Sequence, residues 1–197
     1  MSDSPLLRLQ QRTLESSLVL AGMRKVRDLN KVLRRRVARA FKDEVLIADY
    51  SHLIRHKKAK VELPKRGLQE LIVVWGGVEI NRDRDPSKEH FRRRDDAWFD
   101  FHIHLRHYDG ELAAQRGLLE LVGYGYELRF PVEAGCDVRW MRFDLNHPGH
   151  ENDERNIRAH FHPGDEDLQA PSAVLQPDEA LELLLSDLLS LPQKHRS

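Results

Sequence analysis

A single cysteine, Cys136, stands among the 197 residues. It excludes a disulfide within the chain and a thiolate-rich zinc site in one copy, and it fits a reducing cytoplasm. No run of eighteen uncharged apolar residues occurs, so no segment is expected to span a membrane. The start, Met1-Ser2-Asp3-Ser4-Pro5, lacks the basic and apolar stretches of a secretory signal. There is no Gly-rich phosphate loop, no G-x-S-x-G elbow, no HExxH and no dinucleotide fingerprint, which removes the reaction classes built on them. Aromatic residues make up only 7%. The three Trp are expected in the core rather than as base-stacking platforms, with Trp98, beside a basic loop, open to either reading. Any metal would have to be held by His and carboxylate side chains.

Charge, by contrast, is plentiful: 32% of residues are Asp, Glu, Lys or Arg, and they sum to zero. The zero conceals a polarity. Residues 24–66 hold fifteen Lys/Arg against five Asp/Glu, while 67–197 hold fifteen against twenty-five. A polyanion-facing region at one end is one reading. The other is a basic region lying on the acidic one, within the chain or between subunits of a homo-oligomer.

Length allows one domain with an extension or two small lobes. Ser4-Pro5 reads as a helix start. From Arg24, Val26, Leu29, Val32, Leu33, Val37, Ala40 and Phe41 form a helical stripe with Arg34, Arg35 and Arg39 largely off it. Val45–Ile54 reads as a continuation or a second helix, and Lys57-Lys58-Ala59-Lys60 as an exposed connector. Leu71–Trp75 is a short apolar run whose β-branching and following Gly76-Gly77 favour strand. Residues 81–96 read as a polar loop and a boundary between lobes. From Ala97 the period becomes two: Phe99, Phe101, Ile103 and Leu105 alternate with Asp100, His102, His104 and Arg106. Further strands are expected over 118–132, 138–145 and 156–162, and a helix after Gln176-Pro177-Asp178-Glu179. The expected fold class is α+β: a basic helical region over 1–66, then an antiparallel sheet with a C-terminal helix over 67–197.

Four of the eleven histidines fall within sixteen residues: His147, His150, His160 and His162. On a strand His160 and His162 point to one face. His102 and His104 have the same relation, so a shared sheet would give one histidine-rich face with Asp and Arg interleaved. Two uses are coherent. One is a divalent metal held by imidazoles with Asp144 or Asp100. The other is metal-free phosphodiester cleavage, with histidines as general base and acid and Arg142 and Arg158 on phosphate. RNA suits the latter because its 2′-OH is the nucleophile. Surface solubility is the plain alternative. Candidate nucleic-acid contacts are Arg34, Arg35, Arg36, Arg39, Lys57, Lys58, Lys60 and Arg158.

The stretch from Arg142-Phe143-Asp144 through His147-Pro148-Gly149-His150 to His160-Phe161-His162-Pro163-Gly164, closed by a Leu-rich helix, resembles the small TumE-type toxins of bacterial toxin–antitoxin pairs. The likeness covers roughly residues 97–190; the loop 151–155 and the basic N-terminal half depart from it. It implies a cytoplasmic growth inhibitor acting on RNA, restrained by a cognate antitoxin, with Arg142, Asp144, His147, His150, His160 and His162 as the residues carried over. The alternative expectation is a non-catalytic subunit of a bacterial defence or mobile-element complex, with the helix over 24–42 binding a partner protein or nucleic acid.

Overall fold

The structure, a computed structural model, describes residues 18–78, 88–131, 140–150 and 157–186. The helix expected from Ser4-Pro5, the turn with Cys136, the acidic loop 151–155 and the tail after Pro192 lie outside the described residues.

Helix α1 (Val26–Lys42) buries Leu29, Leu33, Val37 and Ala40 and turns its arginines outward, as the apolar spacing requires. It stops at Asp43, whose amide donates to the Arg39 carbonyl, and Glu44 follows at φ 62° in the left-handed region. That stop overrides the expected continuation. Residues 45–47 bend instead, Leu46 bridging Arg93, and only Ser51–Leu53 forms a 3₁₀ turn.

Eight strands form one antiparallel sheet among the described residues: β1 (Ile54–Leu63), β2 (Gly67–Gly76), β3 (Phe91–Arg92), β4 (Trp98–His107), β5 (Leu119–Arg129), β6 (Trp140–Leu145), β7 (Ala159–His162) and β8 (Ala170–Pro171). Their order is β1-β2-β4-β5-β6-β7-β8, with β3 beside β4. The α+β expectation holds. The expected connector at Lys57–Lys60 does not: these residues are the middle of edge strand β1, pinned by buried Ile54 and Leu63. Lysine is a common edge-strand residue because it discourages pairing with another chain. A division at 66/67 falls within the β1–β2 hairpin, where Leu63 pairs Gly67.

One core joins α1, the sheet and helix α2 (Pro177–Leu185). Phe99, Phe101, Ile103 and Leu105 of β4 are all buried in it. The loop read as a lobe boundary is tied in at its described end. Phe91 stacks on Phe99 at 4.8 Å, and buried Arg93 donates to the carbonyls of Leu184 and Ser186 at the end of α2, both at 3.0 Å. At the start of α2 the Glu179 carboxylate accepts the Gln176 amide at 3.0 Å, the N-terminal arrangement expected there. No helix among the described residues is long and apolar enough to cross a membrane.

The sheet's other face is curled. Leu63, Leu71 and Val122, from β1, β2 and β5, make a small second cluster on it. Gly149 lies so close to the Pro64 carbonyl that a Cβ would collide. In a flat sheet the strands flanking these turns would stand about 14–19 Å apart, three or four strand spacings. The turn after β6 therefore folds over this face and meets the β1–β2 tip.

Candidate functional site

Strand register assembles the site. One row runs across the sheet from Arg55 (β1) to Trp75 (β2), His102 (β4), Gly125 (β5), Asp144 (β6) and His160 (β7). The adjacent row on the same face holds Asp100, Glu127, Arg142 and His162. Thus the two H-x-H pairs do share a face. Between them Gly125 is a floor without a side chain. A Cβ there would lie 2.5 Å from Cε1 of His102, 3.0 Å from its Nε2 and 3.3 Å from Oδ1 of Asp144.

At the β6–β7 end, Nε2 of His160 and of His162 lie 3.7 and 3.4 Å from Oδ2 of Asp144. Both rings are buried, at 2% and 1% exposure. Arg142 donates from Nε to the same Oδ2 at 2.6 Å, and its Nη2 is 3.3 Å from Nε2 of His162. Nδ1 of His162 faces the Asp165 carbonyl at 3.2 Å. A proton there turns the Nε2 lone pair toward the cluster, as ligating or base histidines require. Burial lowers the His160 pKa, against the pull of Asp144 and with that of His162. The ring is therefore neutral near pH 7, with a carboxylate ready to stabilise its charged form. Glu166 reaches back from the acidic stretch and holds both terminal nitrogens of Arg142, at 3.2 and 3.0 Å.

Asp144, His160 and His162 can hold a metal ion: their ligand atoms all lie within 4.8 Å of one another. Arg142 already donates to Oδ2 of Asp144 and, at 3.3 Å, faces Nε2 of His162, so an ion held there would displace the guanidinium from both.

A second histidine group sits at the β4 end. His147 stacks on His104 at 4.8 Å, with its Nε2 in hydrogen-bond contact with Nδ1 of His104. Gly123 makes room for this, since a Cβ there would lie 2.6 Å from the His147 ring. Burial, helped by His102 and His147, pushes the His104 pKa down to about 4. Burial also lowers that of His147, with Arg158 adding to it. His150 stays in the same turn, its Nδ1 3.4 Å from Nδ2 of Asn146.

Arg158 stands beside this group but donates to backbone: Nε to the Asn146 carbonyl at 2.7 Å and Nη2 to that of Val122 at 2.8 Å. Val122 is the extra residue of a bulge between β4 and β5, so Arg158 fastens the histidine turn to the sheet. Its guanidinium positions the turn.

The basic candidates divide by face. Arg55 and Lys57 share the histidine face; Lys57 lies over the half-buried Trp75 ring at 5.5 Å, a cation–π contact. Lys58 and Lys60 alternate with them along β1, and Lys58 pairs Glu70 at 3.0 Å. Arg34 donates to the Ile54 carbonyl at 2.7 Å, Arg36 bridges to Glu182 of α2 at 3.1 Å, and Arg39 pairs Asp43 at 3.2 Å. Arg35 is exposed on α1. Trp75, Arg55, Gly125 and Glu166 were not legible as site residues. For Trp75 and Arg55 the signal was parity along β1 and β2, which is usable once both are known to be strands; Gly125 on β5 and Glu166 after β7 lie outside them.

No protein-family model, curated protein or solved structure matches this chain.

Proposed function

We propose that the histidine face cleaves RNA by attack of the 2′-hydroxyl on the adjacent phosphate. The observation that carries this reading is the row Arg55–Trp75–His102–Gly125–Asp144–His160. It combines a cation for phosphate, an aromatic face for a base, and a glycine-floored gap between His102 and Asp144, with His160 beside Asp144. Trp75 gives a base something to stack on, independently of sequence.

In the proposed reaction neutral His160 takes the 2′-OH proton, and Asp144 stabilises the imidazolium that forms. Arg142 bears the added charge of the phosphorane. The P–O5′ bond breaks as His102, three strands along the same face, returns a proton to the leaving 5′-oxygen. The products are a 2′,3′-cyclic phosphate and a 5′-hydroxyl. Because His160 and His162 are covered, substrate entry requires residues 163–169 to lift, with Gly164 at φ 93° as a natural pivot.

A divalent metal on Asp144, His160 and His162 is the second reading, supported by the clustering of their donor atoms. It would act as a Lewis acid toward phosphate. Chelation separates the two readings. The resemblance to TumE-type toxins adds a partner: a cognate antitoxin covering the histidine face.

The test is expression and RNA cleavage with His160→Gln/His162→Gln, with folding checked by circular dichroism. The double variant is expected to lose both growth arrest and cleavage. A folded double variant that cleaves RNA at the unsubstituted rate removes the reading.

A further inference from the structure

Between α1 and the start of β1, on the side of the sheet opposite the histidines, lies a groove of about 390 Å³. Arg27, Lys31, Arg34 and Arg35 line one wall, at the i, i+4, i+7 and i+8 spacing that brings them to a single helix face. His56 of β1 and Asn30 line the floor. The volume is within the range of small-ligand sites.

Three features distinguish this groove from an ordinary solvated helix face. Arg27, Lys31 and Arg35 have no ion-pair partner among the described residues, whereas Arg36 and Arg39 on the same helix are both paired. Arg34 is anchored through Nη2 to the Ile54 carbonyl at 2.7 Å, which fixes its remaining donors beside the other three. Asn30 is 4% exposed, and its Nδ2 donates to Nδ1 of His56 at 2.8 Å. The Oδ1 of that buried amide has no hydrogen-bond partner among the described residues. An unmet buried acceptor costs free energy unless something fills it.

From these we infer that the groove is a binding site for a phosphate monoester carrying its own hydrogen-bond donor, of about mononucleotide size. Four converging cations suit the dianionic phosphate. Asn30 Oδ1 suits a sugar hydroxyl or base amino group, whereas inorganic phosphate offers only its own P–O–H, which lies among the cations. The same chemistry is offered by a free nucleotide and by the 5′-phosphorylated end of an RNA. The site stands apart from the histidine face and does not depend on cleavage there.

Calorimetric titration of the full chain tests it. Adenosine 5′-monophosphate is expected to bind, and Arg27→Gln and Arg35→Gln each to weaken it about tenfold, the worth of one charge-assisted hydrogen bond. Adenosine should bind at least about tenfold more weakly for the same reason. Asn30→Leu, with folding verified by thermal melting, should reduce preference for the nucleotide over inorganic phosphate. A short RNA with a 5′-phosphate binding more tightly than its 5′-hydroxyl counterpart, and more tightly than the mononucleotide, identifies an RNA end as the source. Tighter binding of the mononucleotide identifies a free nucleotide. If the mononucleotide does not bind, or if Arg27→Gln and Arg35→Gln bind it as the parent does, the assignment is overturned. Equal affinity for adenosine overturns it as well.

Discussion

Glu166 and Arg142 form a two-pronged carboxylate–guanidinium bridge, with both terminal nitrogens of the arginine engaged at 3.2 and 3.0 Å. Phosphate takes the same bidentate geometry on arginine. In the proposed reaction the carboxylate therefore occupies the place of the substrate phosphate, and it ties the segment after β7 back to β6 beside His162. Glu166→Gln is expected to remove a competitor worth on the order of 1 kcal/mol, a roughly fivefold fall in KM for RNA. Steady-state cleavage measures it; an unchanged or higher KM contradicts the latch.

Gly125 is the floor between His102 and Asp144. An added methyl would meet the far end of the His102 ring at 2.5 Å, and a side-chain tip can swing aside at modest cost. Gly125→Ala should thus leave the fold nearly as stable, within about 1–2 kcal/mol. Cleavage should fall at least tenfold, roughly the cost of misplacing a reacting group. Thermal melts and a rate assay on the same preparation separate the two effects. Full activity in Gly125→Ala would mean that His102 and Asp144 do not work together.

Acid should loosen the β4 end. His104 keeps its proton off down to about pH 4 in the fold, whereas an unfolded histidine titrates near 6.5. Between those values the unfolded chain binds a proton that the folded chain refuses. The stabilisation is full above about pH 6.5 and is lost as pH falls toward 4, roughly 2 kcal/mol after allowance for solvent screening of a half-buried ring. His104→Gln should flatten part of the fall in melting temperature between pH 7 and 4.5. A pH profile parallel to the parent's would show that His104 carries no such load.

Arg93 is 3% exposed and joins the β3–β4 turn to the end of α2 through Leu184, Ser186 and Asp95. Arg93→Ala takes this donor from those carbonyls and leaves the Asp95 carboxylate only the Ala97 amide, and is expected to cost about 3 kcal/mol of stability. Denaturant unfolding measures this. A loss under about 0.5 kcal/mol, typical of surface positions, would contradict the role.

Period-two alternation was strong at Phe99–Leu105 and at His160–His162, so these strands and the common face of their histidines could be read from the chain. Gln176-Pro177-Asp178-Glu179 likewise announced α2. Strand β1 could not be read: Ile54–Leu63 carries four Lys or Arg and becomes a strand only because β2 pairs along its whole length. That one error made the basic charge look remote from the histidines, when Arg55 and Lys57 in fact share their face. The stop of α1 at Glu44 was equally silent, since no glycine or proline marks it. The bonds of Arg158 to the Asn146 and Val122 carbonyls had no signal in the chain, because the bulge that presents Val122 is set by strand pairing. Glu166 lay hidden in an acidic stretch, because a bridge to Arg142 over twenty-four residues has no local signature.

The central claim is that the histidine face cleaves RNA with the chain's own side chains. The direct measurement is incubation of the purified chain with a defined RNA in excess chelator, followed by analysis of the product ends. The account predicts fragments ending in 2′,3′-cyclic phosphate and beginning with 5′-hydroxyl, with yield falling sharply in His102→Gln and in His160→Gln. Intact RNA, or fragments formed equally by both variants, would contradict it.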